Sequence, residues 1–455
     1  MTERLVVVGG DAGGMSAAAQ ARRRVPDPAD LEIVAFERGS FTSYSACGIP
    51  YFVGDMVHEV GDLIARSPEE HRRQGIDVRI LHEVAGLDLD RRTVRVRDLD
   101  GGGETEHGFD QLVIATGATP LRPSIDGIDA AGVFGVQTLA DGIAVRRAVD
   151  DERPERAVVV GGGYIGLELA EALVMRGIDV SLVERLPQPM PTLDPDVGRL
   201  VGDALRGAGV HVYTGESVIG FDVTGDGRVA GVVTDARPLP CDLVLLGLGV
   251  RPNSTLAAAA GIAVGETGGV TTDTAMETTA DGVWAAGDCV ETWHRISQRA
   301  VAVALGTHAN KQGRVAGINV TGGEAAFPGV IGTAVSKICA YEVARTGLTE
   351  VEAAAAGFDA VAATIKATTR AGYYPGAEEI TVKLVVERRS RRVLGGQIVG
   401  REGAAKRIDV LAAAVWHEMT AEELVGLDVG YAPPFSPLWD PVLVAARRLA
   451  DAGSS

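Results

Sequence analysis

Hydrophobic positions along this chain fall into short β-branched runs, each closed by glycines and followed by small residues. Leu5–Val8 is one such run; it enters Gly9 and Gly10 and continues as Ala-rich sequence to Arg24. Ala157–Val160 is another; it enters Gly161, Gly162 and Gly163 and continues as "YIGLELAEALVMRG". A second apolar run follows each: "LEIVAFER", closing on Glu37 and Arg38, and "DVSLVER", closing on Glu184. Continuous apolar runs of about four to eight residues between turn signals read as strands buried on both faces. The order strand, Gly turn, Ala-rich helix, strand predicts a βαβ unit, and it occurs twice.

The remaining pattern predicts how these units are arranged. "QLVIATGATP", with Thr116 and Gly117, and "DGVWAAGDCVE", with Gly287 and Asp288, each read as a strand running into a Gly turn. The chain is expected to leave the first unit near residue 118 and to return near residue 248. The expected units are therefore 1–118 with 248–327, an inserted 119–247, and a third region, 328–455. The third region carries a hairpin pattern, "EITVKLVVERRSRRVLGGQIVG", and a helical one, "GAAKRIDVLAAAVWHEM".

The Gly turns have a specific chemistry. Glycine lets the backbone approach a pyrophosphate, and the helix that follows offers free N–H groups and the positive end of its dipole. An acidic residue about 20 positions on accepts hydrogen bonds from a ribose. The second copy matches fully, with Gly161, Gly163 and Gly166. The first keeps Gly9 and Gly14 but has Asp11 in the middle position, so its side chain is expected to point away, with Gly10 and Gly13 providing room. Glu184 favours NADH over NADPH, because a carboxylate repels a 2′-phosphate. NADPH stays open because Arg185 is adjacent.

Composition narrows the function. The net charge of −18 excludes a phosphate-backbone partner. No apolar run approaches the roughly 18 residues of a membrane span, and "MTERLVVVGG" lacks the features of a signal peptide. The four cysteines, Cys47, Cys241, Cys289 and Cys339, are scattered, with neither a CxxC pair nor a disulfide framework. That suits a reducing cytoplasm, and no metal site is expected. Cys241, Cys289 and Cys339 are read as inert residues of apolar strands or helices.

With these residues assembled, the chain resembles the flavin-dependent pyridine nucleotide–disulfide oxidoreductases over nearly its whole length. The resemblance implies an α/β fold of two Rossmann-like dinucleotide-binding domains and a C-terminal α+β dimerisation domain, working as a homodimer. It implies FAD on the first unit, at Gly9, Gly10, Gly13, Gly14, Glu37, Arg38, Thr116, Gly117, Gly287 and Asp288. NADH, or NADPH, is implied on the inserted unit, at Gly161, Gly163, Gly166 and Glu184. Tyr164 resembles the tyrosine that covers the flavin until the nicotinamide displaces it.

Best-known members carry a CxxxxC pair, whereas here Phe52 stands five residues after Cys47. The chain is similar to the single-cysteine branch: coenzyme A-disulfide reductase, persulfide reductases, NADH peroxidase and NADH oxidase. Cys47 precedes Pro50, which favours a helix start, and a helix N-terminus lowers a thiol pKa. Without a partner cysteine, its oxidised form is a mixed disulfide, a persulfide or a sulfenic acid. Ala12 stands where peroxidase and oxidase members carry a histidine, which favours the first two.

Ser16, Gln20, Arg23, Ser43 and His308 resemble positions that hold coenzyme A. Tyr373 and Tyr431 resemble tyrosines that reach in from the other subunit, since the sequence around Cys47 offers no local acid. For Arg23 a solvated helix face is the plain alternative, and for His308 and the tyrosines it is packing. Ala46 and Phe435 depart from the coenzyme A reductase pattern, which has an amide and a tyrosine there. The expected function is NAD(P)H-driven reduction of a small coenzyme A-type disulfide or persulfide, with coenzyme A as substrate or bound ligand. The rivals are an NADH oxidase or peroxidase and an electron-transfer flavoprotein serving a protein partner.

Overall fold

The computed structural model describes residues 2–452. Its first sheet is parallel and ordered Val283–Ala285, Gln111–Ile114, Glu3–Val8, Leu31–Phe36, Asp77–Arg79. Leu5, Val6 and Val7 are fully buried at its centre, as a continuous apolar run requires. The second sheet repeats the plan: His211–Thr214, Asp179–Glu184, Arg156–Val160, Leu243–Leu246 and Val133–Gly135, again all parallel. The crossover helices are Ala12–Arg24 and Tyr164–Met175.

Two antiparallel segments, Ala118–Pro120 and Val250–Pro252, carry the chain out of the first sheet's region and back. Asn253 fastens them: its Nδ2 donates to the Thr116 carbonyl at 2.9 Å, and its own carbonyl accepts from Thr116 Oγ1 at 2.6 Å. The helix Ala12–Arg24 lies against Gly306–Asn319 at backbone distance. A Cβ on Gly313 would stand 2.1 Å from the Gly13 carbonyl oxygen, and one on Gly317 would stand 2.4 Å from that of Ala17.

The third sheet is antiparallel, ordered Ala334–Ile338, Tyr341–Gly347, Val393–Gly400, Glu379–Glu387, Ala360–Thr368. The hairpin read from the sequence is the Glu379–Gly400 pair. The helix expected from Gly403 starts later, at Ile408, after a 3₁₀ turn over Ala405–Arg407. Gly403 has φ +87°, outside the helical range.

A charge cluster centred on the buried Lys383–Asp194 pair joins this sheet to the second unit. The Lys383 side chain is 4% exposed, and its Nζ lies 3.2 Å from Asp194, 2.7 Å from Asp196 and 2.5 Å from Glu350. Gln397 closes the ring, accepting from the Asp194 N–H at 2.7 Å and donating to its carboxylate at 2.6 Å. Removing one partner of such a cluster strands a buried charge. Lys383→Met is therefore expected to destabilise the protein by about 3–5 kcal/mol, read as a lower urea midpoint. An unchanged midpoint would mean that the cluster does not hold the two units together.

Candidate active site

The first Gly turn allows no larger residue. Gly9 has φ +110°, and a Cβ there would lie 2.0 Å from the Ala115 carbonyl oxygen. A Cβ on Gly14 would lie 1.9 Å from the Gly9 carbonyl oxygen. Glu37 closes the turn, its carboxylate accepting from the N–H groups of Gly10 and Gly39, each at 2.7 Å. Gly13 faces Ala286 and Gly287 across the turn, and Gln312 accepts from the Gly287 N–H at 2.8 Å. Asp288, half-buried beside them, is pushed up to about 6 by its removal from water. Asp11 is directed at the backbone of Tyr44 and Ala12; burial, then the charge of Glu37, pushes it up to about 7. Arg38 is exposed. Bare N–H groups, space that a Cβ would fill and enclosed carboxyls able to bond hydroxyls together fit a dinucleotide.

The second turn is built alike. Gly161 has φ +102°, and a Cβ on Gly166 would lie 2.0 Å from the Gly161 carbonyl oxygen. Gly163 caps the helix Tyr164–Met175. Glu184 accepts from the N–H groups of Gly162 at 2.7 Å and Leu186 at 2.8 Å. The Tyr164 hydroxyl accepts from Thr192 Oγ1 at 3.5 Å, and Arg345 holds the Thr192 carbonyl at 2.5 Å.

Cys47 is exposed, in a 3₁₀ turn over Ala46–Gly48 that leads into the helix Ile49–Val53. The expected fall in its pKa is not what the structure gives. Although the residue reaches the surface, its sulfur is partly enclosed, and that loss of water raises its pKa, with the charge of Glu168 adding to the rise. The helix has only five residues, so its dipole is weak, and the nearby charged groups are acidic. Nor does Cys47 lack local acids: Glu168 lies within its electrostatic reach, and so does Tyr51, whose phenol is raised by burial and by Glu168. The sequence reading missed both. The available signal was helical spacing: Tyr51 is four residues after Cys47 and Glu168 four after Tyr164.

Of the residues expected to hold substrate, Ser16 and His308 belong to the paired helices Ala12–Arg24 and Gly306–Asn319. Ser16 Oγ donates to Asn310 Oδ1 at 2.6 Å. Gln20 and Arg23 bond each other at 3.3 Å on the exposed part of the first helix. Ser43 adopts φ +49° and pairs with His71 Nε2 at 2.9 Å. Tyr373 and Tyr431 are 78% and 47% exposed, and each lies within the other's electrostatic reach; Phe435, Leu438 and Trp439 are exposed as well.

Residues 3–313 match the pyridine nucleotide-disulphide oxidoreductase family, and residues 333–441 match that family's dimerisation domain. The chain belongs to this family. The NAD(P)H sulfur oxidoreductase (CoA-dependent) of Pyrococcus abyssi is 41% identical over 98% of each chain. The NADH oxidase of Methanocaldococcus jannaschii is 37% identical, again over 98% of each. Among solved structures, a NAD-dependent persulfide reductase from A. fulgidus superimposes with a TM-score of 0.96 at 40% identity, covering 99% of this chain and 83% of that one.

The other cysteines of this oxidoreductase sit at strand ends and turns rather than inside strands or helices. Cys241 is buried and pushed up to about 12 by that burial; Cys289 is buried with Sγ 3.4 Å from the Ala286 carbonyl oxygen. Cys339 turns the hairpin between Ala334–Ile338 and Tyr341–Gly347 with φ +55°, and Lys337 donates to its carbonyl. Among the described residues no helix is long and apolar enough to cross a membrane, and no cluster of His, Cys, Asp and Glu is arranged to hold a metal.

His308 has a buried Nδ1 with no partner, and burial, then Lys311, pulls its pKa down to about 4. A histidine whose pKa falls on folding stabilises the protein fully above its unfolded value, near 6.5, and loses that contribution as pH falls toward the folded one. Between pH 7 and pH 5 the wild type is therefore expected to lose on the order of 1–2 kcal/mol more than His308→Asn. Urea titrations at both pH values measure the difference; equal losses would show that His308 titrates normally.

Proposed function

We propose that this oxidoreductase uses NAD(P)H to reduce a coenzyme A-type disulfide or persulfide, with Cys47 as its single redox-active thiol. The observation that carries the reading is an exposed cysteine on a fixed turn, with Phe52 where a second cysteine would stand and the other cysteines held elsewhere. The name of the Pyrococcus abyssi relative supports coenzyme A as the substrate's carrier. Residues 1–118 and 248–327 form the unit for FAD, 119–247 the unit for NADH or NADPH, and 328–455 the unit for pairing into a homodimer. Scattered, unpaired cysteines suit the cytoplasm.

The positions of the residues support the following roles. Gly9, Gly10, Gly13 and Gly14 give FAD its pyrophosphate cradle, and Glu37 and Asp288 bond its hydroxyls; Arg38, Thr116, Gly117 and Gly287 line the same site. Gly161, Gly163, Gly166 and Glu184 would hold the nicotinamide dinucleotide, and Tyr164 would cover the flavin until the nicotinamide displaces it. When bound, FAD passes the two electrons of the reduced nicotinamide to sulfur. Cys47, as thiolate, attacks the disulfide; one S–S bond forms, one breaks, and the leaving thiolate takes a proton. Two electrons and a second proton then release the other thiol. Ser16, Gln20, Arg23, Ser43 and His308 bind the carrier, and Tyr373 and Tyr431 of one subunit donate protons at the other subunit's Cys47. A second reading, oxygen or peroxide reduction through a Cys47 sulfenic acid, is favoured by the Methanocaldococcus relative named NADH oxidase. Ala12, in place of a polar donor, argues against it.

Cys47→Ser is expected to keep FAD and NADH-driven flavin reduction while disulfide reduction falls to background. Full disulfide turnover in that variant would end the redox role of Cys47. The tyrosines are tested with a mixed dimer of one Cys47→Ser subunit and one Tyr373→Phe, Tyr431→Phe subunit. Its only intact cysteine then faces the only intact tyrosines, and about half of wild-type activity is expected. A general acid contributes roughly 10²–10⁴ in rate, so an inactive mixed dimer would place the tyrosines at their own subunit's cysteine.

A further inference from the structure

Tyr373 and Tyr431 stand on two loops of the third region that are distant in sequence and joined in space. Tyr373 belongs to the 369–378 loop, which Thr369 closes: its N–H donates to the Glu378 carbonyl at 2.8 Å, and its Oγ1 accepts from the Glu378 N–H at 3.3 Å. Tyr431 leads into a turn in which the Phe435 and Ser436 N–H groups donate to the Ala432 carbonyl at 2.9 and 3.1 Å. One backbone bond crosses between the loops, from the Ala371 N–H to the Pro433 carbonyl at 3.1 Å. Arg407 joins them a second time. It ends the 3₁₀ turn Ala405–Arg407, and its side chain is 11% exposed. Nη2 donates to the Thr369 carbonyl at 2.6 Å and to the Phe435 carbonyl at 2.7 Å, Nε donates to Asp440 at 3.0 Å, and Nη1 donates to the Gly403 carbonyl. Asp440 is itself fixed, accepting from Ser436 Oγ at 3.1 Å and from the Val442 N–H at 2.9 Å at the start of the helix Pro441–Ala452.

We propose that Arg407 is a positioning residue that locks the loops of Tyr373 and Tyr431 into one body, so that both phenols reach the other subunit's Cys47 together. This rests on the two tyrosines being proton donors there. The guanidinium bonds one loop four residues before Tyr373 and the other four residues after Tyr431, and Asp440 fixes its direction from a third side. Its planar fork holds these directions at once, whereas a lysine ammonium is a point donor on a flexible stem. The demand for such a device comes from the tyrosines' exposure, because an exposed phenol depends on its backbone for its place. A misplacement of about 1 Å can cost on the order of a hundredfold in rate.

The test uses FAD-loaded mixed dimers in which one subunit carries Cys47→Ser, assayed with NADH and coenzyme A disulfide. The working Cys47 then faces the tyrosines of the Cys47→Ser subunit. Arg407→Lys on that subunit is expected to lower kcat about tenfold to a hundredfold, with flavin reduction by NADH unchanged. The same substitution on the opposite subunit touches only the disabled site, and turnover should match the parent mixed dimer. The two dimers contain the same substitutions, so a difference between them is not misfolding. Equal falls in both, or a fall in neither, overturn the proposal. Amide hydrogen exchange of Arg407→Lys homodimers should rise in 369–378 and 431–436 together; unchanged exchange also overturns it. Tyr373→Phe, Tyr431→Phe on the Cys47→Ser subunit checks the underlying reading. Full turnover there ends the tyrosines' role and this proposal with it, whereas a loss there without a loss from Arg407→Lys overturns the proposal alone.

Discussion

Both nucleotide turns depend on one steric constraint: the backbone must double back on itself at van der Waals limits as a strand hands over to a helix. At Gly14 and Gly166 the space for a Cβ is already occupied by the carbonyl oxygen of the turn's first glycine. That closeness brings the first peptides of each helix level with the end of its strand, where their N–H groups point outward. The same closeness recurs where the helix after the first turn meets Gly306–Asn319, through Gly313 and Gly317. The cradle is therefore supported from behind by a helix that has no room to shift. Glu37 and Glu184 complete it by holding the N–H groups of Gly10 and Gly162.

Much of this was legible in the sequence because parallel strands buried on both faces leave unbroken apolar runs, and tight turns leave glycines at fixed spacing. The two sheets, the crossing segments and the hairpin of the third sheet follow from those runs. What escaped was set by contacts between distant segments. The rise in the Cys47 pKa comes first from burial and then from Glu168, which is more than a hundred residues away in the chain. The local signal, Pro50 in a first helical turn, was real, but it predicted a dipole that five residues cannot supply. Lys383, Asp194 and Gln397 were equally silent, since nothing in a sequence says that a lysine in an apolar strand will meet three carboxylates.

The site thus sets two influences on one sulfur against each other. Cys47 is exposed on its turn, and the charged groups that act on it, Glu168, Asp288 and Asp11, are all acidic. A thiol with a low pKa would attack faster but would also be oxidised faster. Glu168, on the Tyr164 helix, brings part of that charge from a segment other than the turn that carries the cysteine.

The crossing ribbon bears on the history of the chain. Because Thr119 and Arg251 are direct partners, the polypeptide enters and leaves the inserted unit at neighbouring points. A segment whose ends nearly meet can be gained, lost or exchanged without breaking the register of the sheet it interrupts. The first sheet closes with Val283–Ala285 beside Gln111–Ile114, as though nothing intervened. The inserted segment is also tied to the third sheet by the Lys383 cluster and by Ser336 on Glu168, and to the helix that follows Cys47 by Arg176 on the Val53 carbonyl.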